Sequence, residues 1–387
     1  MITRLFGPPR LVVRTPCPRS GPELNVRLDS RFPGRLLRVV LMAAAFAAPA
    51  SAQGLQPGRM AIEAVAAIST SSADPDDPFV FLDLANTIRV NEKLDVIVRP
   101  YARRLPGGDW DALFYQAQIR YQPVERVRLD AGIISSPLGL GTFELRQDLN
   151  PLVGSPFYYF APLPAFERPS DRVQLFSGGY PLGAILSVSG TWWDARSGVT
   201  DGTPARYRKI FANDNPAAAA QFVAGAGVTP LPGLRIGTGF AHGPYRRSDD
   251  QDYYGVPDYV VLTDADATVF NLEAEYAFGY TRLSGEWVRD SFETDGLPAV
   301  SRGFYVQGVQ TLTPRIFTAA RFTHVSAPIL VTTTFVRSTR KALELSGGYR
   351  ITPQITIKAG YEGGQRFNVT DWTHAAVASV VWSRRWF

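Results

Sequence analysis

Between residues 94 and 134, apolar and polar side chains alternate with a period of two. Leu94, Val96, Val98, Pro100 and Ala102 interleave with Asp95, Ile97, Arg99, Tyr101 and Arg103. Beyond a Pro-Gly-Gly stretch at residues 105–109, Leu113, Tyr115, Ala117, Ile119 and Tyr121 interleave with Phe114, Gln116, Gln118 and Arg120. A tight turn at residues 122–126 leads to Val127, Leu129, Ala131 and Ile133, set against Arg128, Asp130 and Gly132. Successive strand residues point to opposite faces, so this pattern predicts strands with one apolar and one polar face.

The pattern returns downstream. Leu234, Ile236 and Phe240 oppose Arg235, Gly237 and Gly239, and Phe270, Leu272, Ala274 and Tyr276 oppose Asn271, Glu273 and Glu275. Leu283 and Trp287 oppose Arg282, Ser284 and Glu286, and Ile355, Ile357, Ala359 and Tyr361 oppose Thr356, Lys358, Gly360 and Glu362. Less regular strands are expected at 60–68, 79–90, 172–177, 184–199 (one or two), 221–228, 301–312, 316–325 and 340–349. Short turns, often with Pro, alternate with polar loops expected at 245–264, 292–300 and 326–338. Residues 212–220 could cap one turn of helix within a loop. Alternating segments of about ten residues are the signature of a transmembrane barrel. The expected fold is all-β: a transmembrane antiparallel β-barrel. The pattern supplies fifteen to seventeen strands, and single-chain bacterial barrels take even numbers. Sixteen is therefore expected, with fourteen or eighteen as alternatives. Aromatics near strand ends (Tyr121, Tyr276, Phe278, Tyr280, Tyr349, Tyr361, Trp382) suit interfacial girdles.

The N-terminal region changes the charge picture. Residues 35–52 combine a basic start, a short apolar core and an Ala50-Ser51-Ala52 ending, the form of a secretory signal peptide cleaved between Ala52 and Gln53. Residues 1–34 carry no fold signal and read as a mis-called start or a long basic lead-in. Of the 40 Lys and Arg, eight lie before residue 53, as do two of the 35 acids, which leaves 32 basic against 33 acidic residues. The overall positive charge thus belongs to the leader, and a nucleic-acid partner loses its support. The one cysteine, Cys17, lies there too, so residues 53–387 have no disulfide framework. They also lack a helix-length apolar run, so a membrane could be spanned only by a closed barrel.

The stretch from Thr373 to Phe387 ends on Val-Val-Trp-Ser-Arg-Arg-Trp-Phe. A terminal aromatic strand of this kind resembles the last strand of bacterial outer-membrane barrels. The resemblance implies an assembly signal read by the barrel assembly machinery, and closure of the barrel against its first strand. The parity facing lipid is open between Arg385, Ser383, Val381, Ser379, Val377 and Trp386, Arg384, Trp382, Val380, Ala378. The competing reading is the last strand of a soluble β-sandwich. Residues 137–171 form a connection rich in Pro, Gly and aromatics, well beyond ordinary loop length. In position and length it resembles the inward-folded constriction loop of general porins, in which trimers are common. Phosphate-selective porins use lysine clusters that this chain, with only Lys93, Lys209, Lys341 and Lys358, lacks.

Catalytic motifs are not found. His242, His324 and His374 show no ligand spacing, Gly139-Leu-Gly141 lacks the third glycine of a dinucleotide fingerprint, and no G-x-S-x-G elbow occurs. No enzyme, metal or cofactor is expected. The polar parity instead carries Arg99, Arg103, Arg120, Arg128, Arg235 and Arg282, with Glu273, Glu275 and Glu286. An Arg facing lipid at the bilayer midplane would cost about 2–4 kcal/mol, so these side chains are expected to line a lumen. Glu144, Asp148 and Glu167 in the long connection would face the arginines of the wall if that connection folds inward. The function expected is a passive diffusion porin for small hydrophilic or ionic solutes. The alternative is a non-conducting structural or adhesin-like barrel. Outer-membrane lipid would surround either.

Overall fold

The computed structural model describes residues 60–104, 110–134, 138–140, 146–154, 161–162, 172–173, 182–201, 219–248, 264–293, 299–331, 334–365 and 370–386. The leader, Glu144 and Glu167 fall outside these, as do residues 212–218 of the expected helical turn. The described strands are β1 Met60–Ser71, β2 Asp74–Asn91, β3 Leu94–Arg104, β4 Trp110–Val124, β5 Val127–Ile133, β6 Ala161–Pro162, β7 Arg172–Val173, β8 Leu182–Ser189 and β9 Trp193–Thr200. They continue as β10 Gln221–Leu231, β11 Leu234–Arg246, β12 Ala265–Phe278, β13 Thr281–Phe292, β14 Ala299–Thr311, β15 Ile316–Val331, β16 Thr334–Arg350, β17 Ile355–Gln365 and β18 Trp372–Trp386. All but β6 and β7 form one closed antiparallel barrel of sixteen strands. The pair β6–β7 is a separate ladder inside the long connection.

Closure follows from the chemistry of the backbone. An open sheet edge in hydrocarbon leaves N–H and C=O groups without water or partner, at several kcal/mol each. Here β18 pairs with β1 over ten residues, from Ile62↔Trp386 to Ser71↔Val377, so the sheet has no edge. At this seam Trp386, Arg384, Trp382, Val380 and Ala378 take the outer face. The Arg384 guanidinium lies 5.2 Å from the centre of the Trp386 ring, close to the rim where the strand ends.

The two rims differ. One carries only tight turns, such as 92–93, 125–126, 232–233 and 279–280. In the turn between β10 and β11, Pro232 is followed by Gly233 at φ 84°, where a side chain would also strike the carbonyl of Ala277. The opposite rim carries the connections at 134–181, 201–220 and 247–264. The outer face between the rims is apolar: Ile119, Leu129, Leu186, Ile236, Leu272, Leu283, Val306 and Leu345 are all exposed. Aromatics bracket this band. Tyr121, Tyr276, Phe278, Tyr280 and Tyr349 sit toward the tight-turn rim. Phe270–Trp287 (6.2 Å) and Phe304–Phe322 (6.0 Å) pack toward the other.

Several expectations are corrected. Residues 326–338 are not a loop, because β15 and β16 pair from Ile316↔Tyr349 out to Val331↔Thr334. Of the strand expected at 172–177, the described residues Arg172 and Val173 pair with Pro162 and Ala161 rather than with the wall, and 174–177 lie outside the described residues. The expected segment 184–199 is two strands, β8 and β9, and the long connection runs from 134 to 181. Phe114, which fell in the polar series, pairs with Pro100 across a bulge at Arg99/Pro100. That bulge accommodates a proline without an N–H and shifts the register, returning Phe114 to the apolar parity.

A candidate constriction inside the barrel

The polar parity of the strands faces inward. On β5, Asp130 accepts hydrogen bonds from Arg120 Nε (2.8 Å) and Gln118 (3.0 Å) on β4, and Arg128 Nε also lies 2.8 Å from it. Arg235 on β11 bridges Asp194 on β9 (3.0 Å) and Glu273 on β12, with Arg196 3.9 Å from the same Glu273. Glycines at 225, 227, 237 and 239 leave room for these long side chains and for Asn271. Glu286 is buried and accepts a hydrogen bond from Asn271 at 3.4 Å. Arg282 and Glu275, 4.0 Å apart, are the most open of these pairs. Arg99 is buried and donates from Nε and Nη2 to the Asp83 carboxylate on β2. The Arg103 guanidinium lies 5.9 Å from the Tyr101 ring.

Inside this ring lies part of the long connection. Residues 146–154 open with a turn in which the N–H groups of Leu149 and Asn150 donate to the Arg146 carbonyl. The turn directs three carbonyls to one point, and Lys358 of β17 fills it. Lys358 Nζ donates to the carbonyl oxygens of Gln147 (3.0 Å), Asn150 (3.0 Å) and Leu152 (2.9 Å). The side chain is 1% exposed, so its charge is compensated by these dipoles rather than by water. Ser346 Oγ donates to the Pro151 carbonyl at 2.8 Å, and Arg321 to the Gly154 carbonyl at 2.7 Å. Arg321, fully buried, also donates twice to Glu344 (2.6 and 2.8 Å) and to Gln307 (3.1 Å). Arg146 joins Asp148 (2.7 Å) to Glu63 of β1 (3.1 Å). The segment is thus pinned to β15, β16, β17 and β1. Toward the tight-turn rim it roofs a cavity of about 420 Å³, lined by Asp148, Asn150, Arg282, Arg350 and Lys358 among others.

A second contact is apolar. Ile134 and Leu138, at the start of the connection, join a buried cluster with Ile185, Val223, Ala241, Val269, Val288, Tyr305, Val325 and Ala327. This apolar patch covers the inner wall from β8 to β15.

The sequence-expected residues therefore divide. Arg120 and Arg128 are brought together by Asp130, Arg235 with Glu273, and Arg282 with Glu275. Asp148 reaches the lumen, where its cation is Arg146 of its own segment. The described bonds of Arg99, Arg120 and Arg128 run to acids of the wall, not across a gap to the connection. Sequence reading did not single out Asp83, Asp194, Arg196, Arg321 or Glu344, which the structure places in inward charge pairs. It placed Lys358 on the polar parity but had no signal for its partners, 206 to 211 residues away. The three histidines lie on the outer face: His242 beside Thr268 (3.0 Å), His324 stacked on Phe304 (5.5 Å) and His374 bonded to Tyr361 (2.6 Å).

No protein-family model and no curated protein matches the chain. Solved structures do match its fold. An anion-selective porin from Comamonas acidovorans is 11% identical, covering 84% of this chain and 98% of its own, with a TM-score of 0.54. Salmonella typhi OmpF in complex with daunomycin is 10% identical over 84% and 97%, also at 0.54. OmpT, an outer membrane protein of Vibrio cholerae folded in vitro in its trimer form, is 11% identical over 84% and 98%, at 0.51. In architecture the chain resembles these porins and outer-membrane proteins: it is a closed antiparallel β-barrel of sixteen strands.

Proposed function

We propose that this chain is a passive diffusion porin of a bacterial outer membrane, admitting small hydrophilic or ionic solutes without transforming them. The observation that carries this reading is the segment 146–154, fixed within the barrel by Lys358, Ser346 and Arg321 above a charged cavity. A segment held by several charge-assisted bonds narrows a lumen without wandering through it. The wall beside it carries Arg–Asp and Arg–Glu pairs, which offer a passing solute both signs of charge.

In this reading the leader is removed before Gln53, the barrel assembly machinery inserts the chain, and the tight-turn rim faces the periplasm. Trimerisation is part of the proposal. Purified protein added to a planar lipid bilayer should give stepwise conductance under several salts and voltages. A non-conducting barrel is the second reading, and the apolar cluster around Ile134 and Leu138 favours it, since greasy packing suits a plug better than a wet channel. Silence in the bilayer from correctly folded, heat-modifiable protein would decide for the plug.

A further inference from the structure

Four inward glycines form a square on the inner wall. Gly225 and Gly227 of β10 stand directly opposite Gly239 and Gly237 of β11. No turn or left-handed backbone asks for them, since positive φ among the described glycines occurs only at 132, 139, 233 and 279. A strand interior loses side-chain packing at each glycine, and the usual reason is the close approach of another group. Here that group is the charged flank. Asp194 and Arg196 of β9 pair with Gly227 and Gly225, and Glu273 and Asn271 of β12 pair with Gly237 and Gly239.

The ion pairs cross strands that lie between their partners. Arg235 of β11 reaches over β10 to Asp194 of β9 (3.0 Å) and also binds Glu273. Arg196 of β9 extends past β10 and β11 to Glu273 of β12, 3.9 Å away. With strands about 4.8 Å apart, that pair spans about 14 Å of wall. Side chains on the floor would block it. A Cβ at 227 would stand 2.5 Å from Arg235 Nη2 and 2.8 Å from Asp194 Oδ2. One at 225 would stand 2.9 Å from Arg196 Nε, and one at 237 2.6 Å from Glu273 Oε1. The two arginine side chains therefore rest against backbone, 27% and 28% exposed, instead of standing up in the lumen. Around the ring of sixteen, β10 lies seven strands from β17 one way and nine the other. The glycine floor thus occupies the arc opposite the segment held by Lys358.

We propose that Gly225, Gly227, Gly237 and Gly239 set the width of the passage, as positioning residues that keep Arg196 and Arg235 flat on the wall across from the pinned segment. The proposal rests on the porin reading above. A side chain on this floor would lift the guanidinium groups into the lumen. The channel would then narrow on this side with no change in the strands or in the segment 146–154.

The test measures single-channel conductance, and the largest neutral polymer that enters the pore, on barrel whose folding is checked by its heat-dependent gel shift. Gly227→Leu should lower both. Adding Arg235→Ala should recover most of the loss, because the lifted side chain is gone. Gly347→Leu, on the outer face of β16 where a Cβ meets nothing within 4 Å, should leave both unchanged. A Gly227→Leu channel as wide as the wild type overturns the proposal, and so does a double variant as narrow as the single one. Equal narrowing by Gly347→Leu, a general effect of losing a strand glycine, does the same. A silent wild type sinks the porin reading and this proposal with it, whereas a conducting wild type with unaffected variants sinks the proposal alone. A second measurement needs neither current nor leucine. Cys17 is the one cysteine of the chain, so Gly227→Cys in a Cys17→Ser background supplies a single thiol at the floor. A water-soluble thiol reagent should label it several-fold faster once Arg235→Ala uncovers it; equal rates overturn the proposal.

Discussion

Lys358 Nζ stands 2.9 Å from the carbonyl oxygen of Leu152, joining two residues 206 positions apart across the interior of the barrel. The contact turns a peripheral connection into part of the lumen. Lys358→Met removes the only described side chain that gathers three carbonyls of the segment. Bonds to a charged group contribute about 1.5–3 kcal/mol each when broken singly, with water recovering part of the loss here. The expected outcome is a folded barrel with noisier open-channel current and faster proteolysis within 134–181. Methylammonium should quieten the current of Lys358→Ala by entering the vacated carbonyl cage. Unchanged noise in both variants would show that Lys358 does not hold the segment.

Arg321 and Glu344 form a buried pair, and Glu362 stands directly opposite Glu344 on the next strand. Arg321→Leu would leave these carboxylates facing one another without their cation. Breaking a buried pair from one side costs about 3–5 kcal/mol. The temperature at which the folded gel band converts to the unfolded band should fall accordingly. Adding Glu344→Leu to Arg321→Leu should recover part of the loss; a double variant no better than the single one contradicts the pairing.

Selectivity should follow the sign of the charge removed. Arg120→Gln with Arg128→Gln strips Asp130 of both cations and should move the reversal potential in a salt gradient toward cations. Asp148→Asn, at the cavity roof, should move it toward anions. Both shifts should be larger in dilute salt, because charges are screened over about 8–10 Å near physiological ionic strength. Shifts of the same sign in the two variants would sink this account.

Val306 lies on the outer apolar band, directly opposite Phe322, and is 58% exposed. Val306→Arg should destabilise the barrel in lipid vesicles by up to about 2–4 kcal/mol, the cost of a lipid-facing arginine, which falls toward the interface. Urea unfolding followed by tryptophan fluorescence measures it. An unchanged midpoint would remove Val306 from the lipid-facing band.

The alternation that exposed the fold in the sequence exists only where the two faces of a strand meet surroundings of different polarity. It was plain at Leu234–Phe240 and Phe270–Tyr276 for that reason. It failed at 326–338, where the ends of β15 and β16, Ser-Ala-Pro-Ile-Leu-Val and Thr-Phe-Val-Arg-Ser, carry apolar residues on both parities and so leave no alternation to read. It also misread 172–177, whose first two residues pair within the long connection instead of building the wall. Inward charges could be assigned to the lumen one by one, but not their bonds. Arg99 finds Asp83 across the β2–β3 ladder, a pairing that depends on register, whereas Lys358 finds backbone carbonyls, which leave no mark in composition. Contacts between the wall and a distant connection are set by how that connection folds back, and a periodic pattern says nothing of that.

The seam between β1 and β18 has a kinetic consequence. Its partners, from Ile62↔Trp386 to Ser71↔Val377, include some of the longest sequence separations in the molecule. Such non-local pairing is slow, because loop-closure entropy must be met before the contacts contribute. Until β18 arrives, every intermediate has two unpaired strand edges and an apolar outer surface, the combination that seeds aggregation in water. The ring cannot be built up in separately stable pieces, so a mutation that slows the seam should lower the yield of assembled barrel while leaving the finished barrel almost as stable as before.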